Sequence, residues 1–120
     1  MARSLLEILP SKGEEVTLGL TEADLCTPGR LYVFGQAAVG KGVGVVSLYR
    51  LLYAHHGWSP EKGLLMERVV KVALHEAGHA MGLLHCDGAC VMRLCTSVYQ
   101  IDGAPTWFCS SCRTKLGWPE

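Results

Sequence analysis

Five residues near the middle of the chain, His75, Glu76, His79, Gly82 and His85, spell HExxHxxGxxH and constrain the local fold more than any other feature. On a helix, His75 and His79 lie about 40° apart on one face and one turn apart, so both imidazoles can bind one metal ion. Glu76 lies beside them, where it can hydrogen-bond a metal-bound water. A solvated helix face can also carry two histidines and a glutamate, but the complete motif favours metal binding.

The third histidine requires the helix to end before it. On a continuous helix His85 would be rotated by about 240° and displaced by about 9 Å from His79, and would point away from the metal. Gly82 can adopt the left-handed conformation that ends a helix. The sequence therefore predicts a helix over Leu64–Gly82 and a turn that brings back His85. Apolar residues at three- and four-residue spacing predict its core face: Val70, Ala73, Ala77, Ala80 or Met81, and Leu84.

Four of the six cysteines form a CxxxC and, 18 residues later, a CxxC: Cys86, Cys90, Cys109 and Cys112. This spacing is typical of closed Cys₄ zinc sites, which have no open coordination position and are structural. Since Cys86 follows His85, such a site would fix the loop of the third histidine. The alternative, a redox dithiol of Cys109 and Cys112, lacks the strand and helix setting of thioredoxin-like motifs.

The charge pattern excludes several classes of partner. Eleven Lys and Arg residues balance eleven Asp and Glu residues without a block of like charge, which argues against nucleic-acid binding. No apolar run approaches the roughly 18 residues of a membrane span, and the segment Met1–Pro10 lacks the pattern of a secretory signal. We therefore expect a cytoplasmic protein, in which thiols stay reduced. We also expect it to be a monomer. Cys26 and Cys95, which have no partner at ligand spacing, are expected to be small buried residues.

The remaining patterns predict one α+β domain over residues 1–120. Its small, mixed, twisted sheet carries the motif helix, and an irregular, zinc-stabilised C-terminal part follows. Alternating or β-branched runs predict the strands Glu15–Leu20, Leu31–Phe34 and Val43–Leu48. Shorter helical segments are expected at Arg3–Leu9, Tyr49–Ala54 and Cys112–Leu116, with His55 and His56 in a loop.

On these residues the chain resembles the archaemetzincin family of the metzincin clan of zinc metallopeptidases. Metzincins share the motif from His75 to His85 and a methionine-containing turn, which Met92 matches. The archaemetzincin resemblance adds Cys86 directly after the third histidine, the CxM segment from Cys90 and the CxxC that begins at Cys109. The segments Tyr32–Ala37 (YVFGQA) and Val45–Leu51 (VVSLYRL) extend it, so that it covers Asp24 to Leu116.

The resemblance implies a metzincin-like fold and a peptide or protein substrate. It implies a catalytic zinc bound by His75, His79 and His85, a structural zinc in the cysteine cluster, and Met92 as a hydrophobic floor. Glu76 would act as general base, and the substrate would lie antiparallel along the Leu31–Phe34 edge. The chain departs from the family in three details. It is short for a metzincin, which predicts a shortened N-terminal subdomain. Three residues instead of four separate Cys86 and Cys90, and Leu94 stands where some metzincins have a tyrosine ligand.

Two functions from different classes fit these patterns. The first is a zinc-dependent peptidase, and the alternative is a catalytically silent zinc-binding module with a structural or protein-interaction role. Glu76 favours the peptidase, because a purely structural metal site has no use for a glutamate in that position.

Overall fold

The fold is seen in a computed structural model that describes residues 15–52 and 61–118. The predicted helix at Arg3–Leu9 and the two loop histidines, His55 and His56, lie outside the described residues. Within the described ranges, no helix has both the length and the apolar character needed to cross a membrane.

Five short strands form two sheets: β1 (Thr17–Thr21), β2 (Leu25–Thr27), β3 (Arg30–Val33), β4 (Gly35–Ala38) and β5 (Val43–Ser47). Strands β1, β5 and β4 form a three-stranded sheet in that order, in which β5 is parallel to β1 and antiparallel to β4. Strands β2 and β3 pair antiparallel in a separate sheet. The small mixed sheet confirms that part of the predicted α+β fold.

The central strand β5 is buried along its whole length. Val43 and Val45 pack with Leu25 on one face of the sheet, while Val46 packs with Val72 on the other face. A strand covered on both faces has no reason to alternate polar and apolar residues. This double burial explains why β5 is almost continuously apolar.

Four helices are described: α1 (Tyr49–Leu52), α2 (Lys62–Ala80), α3 (Val98–Gly103) and α4 (Ser110–Leu116). The long helix α2 packs on β4 and β5. It begins and ends two residues earlier than predicted, and α4 begins two residues earlier than the predicted segment at Cys112–Leu116.

The predicted core face of α2 is partly wrong. Val70 and Leu84 are 39% and 71% exposed, whereas Arg68 and Lys71 are buried. Polar residues occupy the buried face because Arg68 forms an ion pair with Asp102, with Nε to Oδ1 at 2.8 Å and Nη2 to Oδ2 at 2.9 Å. This partner lies 34 residues away in sequence, so helical periodicity gives no indication of it.

The edge of the three-stranded sheet also differs from the prediction. Strand β3 ends at Val33 and pairs with β2, so the predicted edge Leu31–Phe34 is wrong, and β4 forms the edge. At Phe34 the side chain turns into the core beneath α2, and its carbonyl accepts a hydrogen bond from Ser47 N–H at 2.8 Å. The chain therefore joins the larger sheet only from Phe34 onward.

The turn between β4 and β5 contacts the C-terminal end of α2. The backbone N–H groups of Gly40 and Gly42 donate to the carbonyls of His79 and Ala80, at 2.9 and 3.0 Å. Both glycines have positive φ, a conformation that glycine adopts at no steric cost. Because the last carbonyls of a helix have no partner within the helix, this turn supplies hydrogen bonds that the helix end lacks.

Candidate metal centres

The three motif histidines converge at one point at the end of α2. His79 Nε2 lies 3.1 Å from His75 Nε2 and 3.3 Å from His85 Nε2. Zinc-nitrogen bonds of about 2.0–2.1 Å place the nitrogens of a tetrahedral site about 3.3–3.4 Å apart. The observed separations therefore fit one tetrahedrally bound ion.

The turn at Gly82 brings His85 back to the helix, as predicted. Gly82 has a φ of 107°, its N–H donates to His79 O, and Leu83 N–H donates to Gly78 O, both at 2.9 Å. These two hydrogen bonds are those of a Schellman motif, which ends a helix at a residue with positive φ. His85 therefore lies outside the helix, where its ring can approach the other two.

Backbone carbonyls fix the protonation of two rings. His75 Nδ1 lies 2.8 Å from Val91 O, and His79 Nδ1 lies 2.7 Å from Leu83 O. A carbonyl only accepts, so each Nδ1 carries a proton and, in the neutral ring, each Nε2 presents a lone pair. Two lone pairs at 3.1 Å repel each other, and a cation between them removes this repulsion. The donor set therefore fits a metal ion.

The electrostatic environment keeps His75 and His85 neutral. Burial, chiefly, lowers the pKa of His75 to about 4, and burial and the charge of His79 lower the pKa of His85. A histidine must be unprotonated to bind a metal. Both rings are thus ready to bind a metal at neutral pH.

Glu76 lies against the sheet and lines the same cleft as the histidines. It is 6% exposed, and burial raises its pKa to about 8. No hydrogen bond to its carboxylate occurs among the described residues. Close approach is possible because Gly35 has no side chain: a Cβ at Gly35 would lie 2.8 Å from Glu76 Oε2. Gly35 therefore leaves the space that this carboxylate occupies.

The four predicted cysteines also come together. Cys86 Sγ lies 3.8 Å from Cys109 Sγ, and Cys90 Sγ lies 3.6 Å from Cys112 Sγ. Zinc-sulfur bonds of about 2.3 Å place tetrahedral thiolates about 3.8 Å apart, so the cluster fits a closed Cys₄ site.

Two opposite pKa shifts within this cluster indicate that it requires a bound cation. A hydrogen bond from the backbone of Cys112 lowers the pKa of Cys109 to about 7, whereas burial and neighbouring thiols raise that of Cys112 to about 12. Neighbouring thiols cannot all ionise without a cation, and a coordinating ion deprotonates them.

The two centres share the segment around the predicted methionine turn. Met92 is fully buried, and its carbonyl accepts a hydrogen bond from Cys86 N–H at 3.0 Å. Val91, between Cys90 and Met92, supplies the carbonyl that orients His75. A cysteine cluster that holds this segment therefore also holds a histidine ligand in place.

Sequence reasoning missed Gly78, which lies in α2 between His75 and His79. A Cβ there would collide with Met92 Sδ and lie 3.0 Å from Phe108 Cε1. The available signal was a glycine inside a helical pattern, which costs about 1 kcal/mol and usually has a packing reason.

The prediction that Cys26 and Cys95 are buried is wrong, because both are half-buried. Cys95 packs at the edge of the core that contains Phe34 and Ile101. Neither residue lies in the cysteine cluster.

The histidines open into a cleft of about 370 Å³ between strand β4 and the segment that follows the methionine turn. Gly35, Gln36 and Ala37 of β4 line one wall. Val91, Leu94, Ile101 and Ala104 contribute apolar groups to the lining. The His₃ centre is accessible from this cleft, whereas two of the four cysteines are fully buried.

Comparisons with known proteins agree with this geometry. Residues 11–117 match the sequence model of peptidase family M54. Archaemetzincin from Archaeoglobus fulgidus is 42% identical over 93% of this chain, and archaemetzincin from Methanopyrus kandleri is 44% identical over 97%. The chain spans 65% of the length of each of these relatives.

Solved structures show the same fold. The crystal structure of archaemetzincin from A. fulgidus complexed with malonate has a TM-score of 0.84 and 41% identity, covering 95% of this chain and 67% of that one. The M. kandleri archaemetzincin has a TM-score of 0.86 and 42% identity, covering 98% and 63%. The chain therefore belongs to peptidase family M54 and is a relative of the archaemetzincins.

Proposed function

We propose that this protein is a zinc-dependent peptidase whose catalytic zinc is bound by His75, His79 and His85, with Glu76 as general base. The observation that carries the proposal is the convergence of three imidazoles: His79 Nε2 lies 3.1 Å from His75 Nε2 and 3.3 Å from His85 Nε2, in a cleft that Glu76 also lines. Membership of peptidase family M54 supports the same activity.

Zinc bound there would lower the pKa of a water ligand to about 7 and polarise the carbonyl of the scissile peptide bond. The positive charge of a zinc ion bound nearby would lower the pKa of Glu76, which burial alone raises to about 8. In its ionised form the Glu76 carboxylate would accept a proton from the attacking water and return it to the nitrogen of the leaving amine. Its position suits this role, because no described side chain competes for its oxygens and Gly35 allows it to lie at the edge of the cleft.

In this proposal the substrate binds along the edge strand β4. This strand pairs with β5 on one side, and its other side faces the cleft through Gly35 and Gln36. A peptide added antiparallel to β4 would satisfy the free backbone groups and bring its carbonyl toward the histidines.

A second zinc, bound by Cys86, Cys90, Cys109 and Cys112, has a structural role in this proposal. Four thiolates leave no open position, so this site supplies stability instead of chemistry. Met92 contributes an apolar floor beneath the histidines and takes no part in the reaction. Since cysteines must stay reduced to bind zinc, we also propose a cytoplasmic location. We further propose that the chain forms one metallopeptidase domain and acts as a monomer.

Zinc content and peptide cleavage, measured together, test this function. Elemental analysis should give two zinc equivalents for the wild type, for Glu76→Ala and for the control Glu67→Ala, an exposed glutamate on the same helix. In a peptide-library assay Glu76→Ala should lower kcat/KM by about 10²- to 10⁴-fold, and the control should match the wild type.

Two outcomes would contradict the proposal in different ways. Full turnover by Glu76→Ala would remove this residue from the mechanism. Two zinc equivalents without cleavage by the wild type would favour a zinc-binding structural or interaction module.

A further inference from the structure

A positively charged pocket lies next to the His₃ centre, at the end of the cleft toward the start of α2. Lys71 lies one helical turn before His75 on the same face of α2, and its side chain lines the cleft. The surrounding lining groups are mainly apolar and come from Val72, Ile101 and Ala104. A single buried cation with apolar walls is the composition of a selective binding pocket.

The Lys71 ammonium is held in place but has no carboxylate partner within residues 15–52 and 61–118. Lys71 is 7% exposed, and Nζ donates to the carbonyls of Ile101 at 3.1 Å and Asp102 at 3.0 Å. The carboxylate of Asp102 is engaged by Arg68, which binds both of its oxygens. An ammonium has three donors, so one N–H of Lys71 remains for a ligand.

Two further cations, Arg30 and Arg93, also line the cleft. Cys95 also lines the cleft. Burial raises the pKa of its thiol, and the charges of Arg93 and Lys71 both oppose this shift. The guanidinium of Arg93 is exposed and makes a 3.4 Å contact with Asp87 O. Glu76 is the one carboxylate among the described residues that line the cleft.

We propose that Lys71, assisted by Arg93, binds a carboxylate group of the peptide near the scissile bond. This inference rests on the proposed peptidase function and names its substrate class. One helical turn separates Lys71 from His75 by about 6 Å along the axis, and an extended peptide advances about 3.3 Å per residue. A carboxylate bound at Lys71 therefore belongs to a residue within about two positions of the bond that is cleaved.

The energetic reason is the cost of a buried charge without a counter-ion. A buried ammonium that meets only carbonyl oxygens loses most of its hydration and gains no opposite charge. A carboxylate from the substrate supplies that charge and a charge-assisted hydrogen bond. The group can be an aspartate or glutamate side chain or the C-terminal carboxylate of a short peptide.

Paired peptides test this specificity. Each pair differs only as Glu against Gln at one position near the scissile bond, or as a free against an amidated C-terminus. Binding is measured by fluorescence anisotropy with zinc-loaded Glu76→Ala protein, so it does not require turnover, and kcat/KM is measured with zinc-loaded wild type. We expect the carboxylate form to bind, and to be cleaved, about tenfold better. The pair that shows the preference identifies the source of the carboxylate.

Variants test whether the carboxylate preference comes from the pocket around Lys71. Lys71→Met, made in both backgrounds, should abolish the preference, while Lys62→Met, which removes an exposed lysine from the same helix, should keep it. Because Lys71→Met also removes two hydrogen bonds to the end of α3, its thermal unfolding is measured in parallel. If that variant does not fold, Arg93→Gln decides, with an expected threefold or greater reduction of the preference.

The outcomes separate this inference from the proposed function. Equal binding of all pairs by the parent proteins would overturn the carboxylate pocket, and so would a full preference in both Lys71→Met and Arg93→Gln. A carboxylate preference in binding without cleavage of any peptide would support the pocket and contradict the peptidase.

Discussion

The two candidate metal centres are built in opposite ways. In the His₃ centre, His75 and His79 come from one helix, and His85 follows six residues later in an exposed turn. In the Cys₄ cluster the ligands lie in two separate segments, and Cys90 and Cys112 are buried. One centre is fixed mostly by local helical geometry and opens into a cleft, and the other requires tertiary closure.

This difference separates chemistry from stability. A metal site that opens into a cleft leaves a position for water and substrate, whereas a closed thiolate site connects distant segments. The segment from Cys90 to Met92 joins them, since Val91 O orients His75. We therefore expect damage to the cysteine cluster to affect both centres and damage to the histidines to stay local.

Cys90→Ser should have the largest effect on stability. Cys90 Sγ is fully buried and accepts hydrogen bonds from Met92 N–H at 3.4 Å and Cys109 N–H at 3.3 Å. We expect the loss of at least one zinc equivalent and of more than about 4 kcal/mol of unfolding free energy, measured by elemental analysis and urea unfolding.

The matched control is Cys95→Ser, a half-buried cysteine outside the cluster, which should keep both zinc ions. The reciprocal variant His85→Ala should lose one zinc but retain its secondary structure by circular dichroism. An unchanged zinc content in Cys90→Ser would mean that the cluster holds no metal.

Gly78→Ala should have an intermediate effect. The added methyl would overlap Met92 Sδ and lie 3.0 Å from Phe108 Cε1, so the core beneath the histidines must shift. Overpacking of this kind costs about 1–3 kcal/mol. Thermal unfolding of the zinc-loaded protein measures it.

Gly63→Ala provides a control with the opposite sign. Its added methyl meets no atom within 4 Å, and the substitution should stabilise α2 by about 0.5–1 kcal/mol. Equal stability of Gly78→Ala and the wild type would show that the Met92 contact does not constrain the site.

Gly35→Ala should have the smallest effect on stability and a clear effect on activity. Its methyl would lie 2.8 Å from both Glu76 Oε2 and Val45 O, so the carboxylate or the strand pair must move. We expect a loss of about 1 kcal/mol, both zinc ions retained, and kcat lowered by about 10- to 100-fold. Gly103→Ala, whose methyl meets nothing within 4 Å, should leave kcat unchanged. A normal kcat for Gly35→Ala would mean that Gly35 does not position Glu76.

The sequence predicted those parts of the site that local rules control. Helical spacing identified His75 and His79, and the turn property of Gly82 predicted how His85 returns. Cysteine spacing identified the four clustered thiols, although the spacing alone does not place Val91 O on His75.

The errors occurred where distant residues decide the outcome. Arg68 and Lys71 are buried because they bind residues of α3. These partners lie 30 to 34 residues away in sequence, so the local pattern does not indicate them. The sheet edge was misplaced because the chain changes sheets at Phe34, a tertiary feature without a local turn signal.

The contact between the β4–β5 turn and α2 determines how the cleft can open. Gly40 and Gly42 bind the carbonyls of His79 and Ala80, so the strand that would hold the substrate and the helix end that carries a metal ligand are tied together. We expect these two walls to move together, so that a peptide on β4 would keep its distance from the histidines. Any widening of the cleft must therefore come from the opposite wall, the segment from Val91 to Ala104.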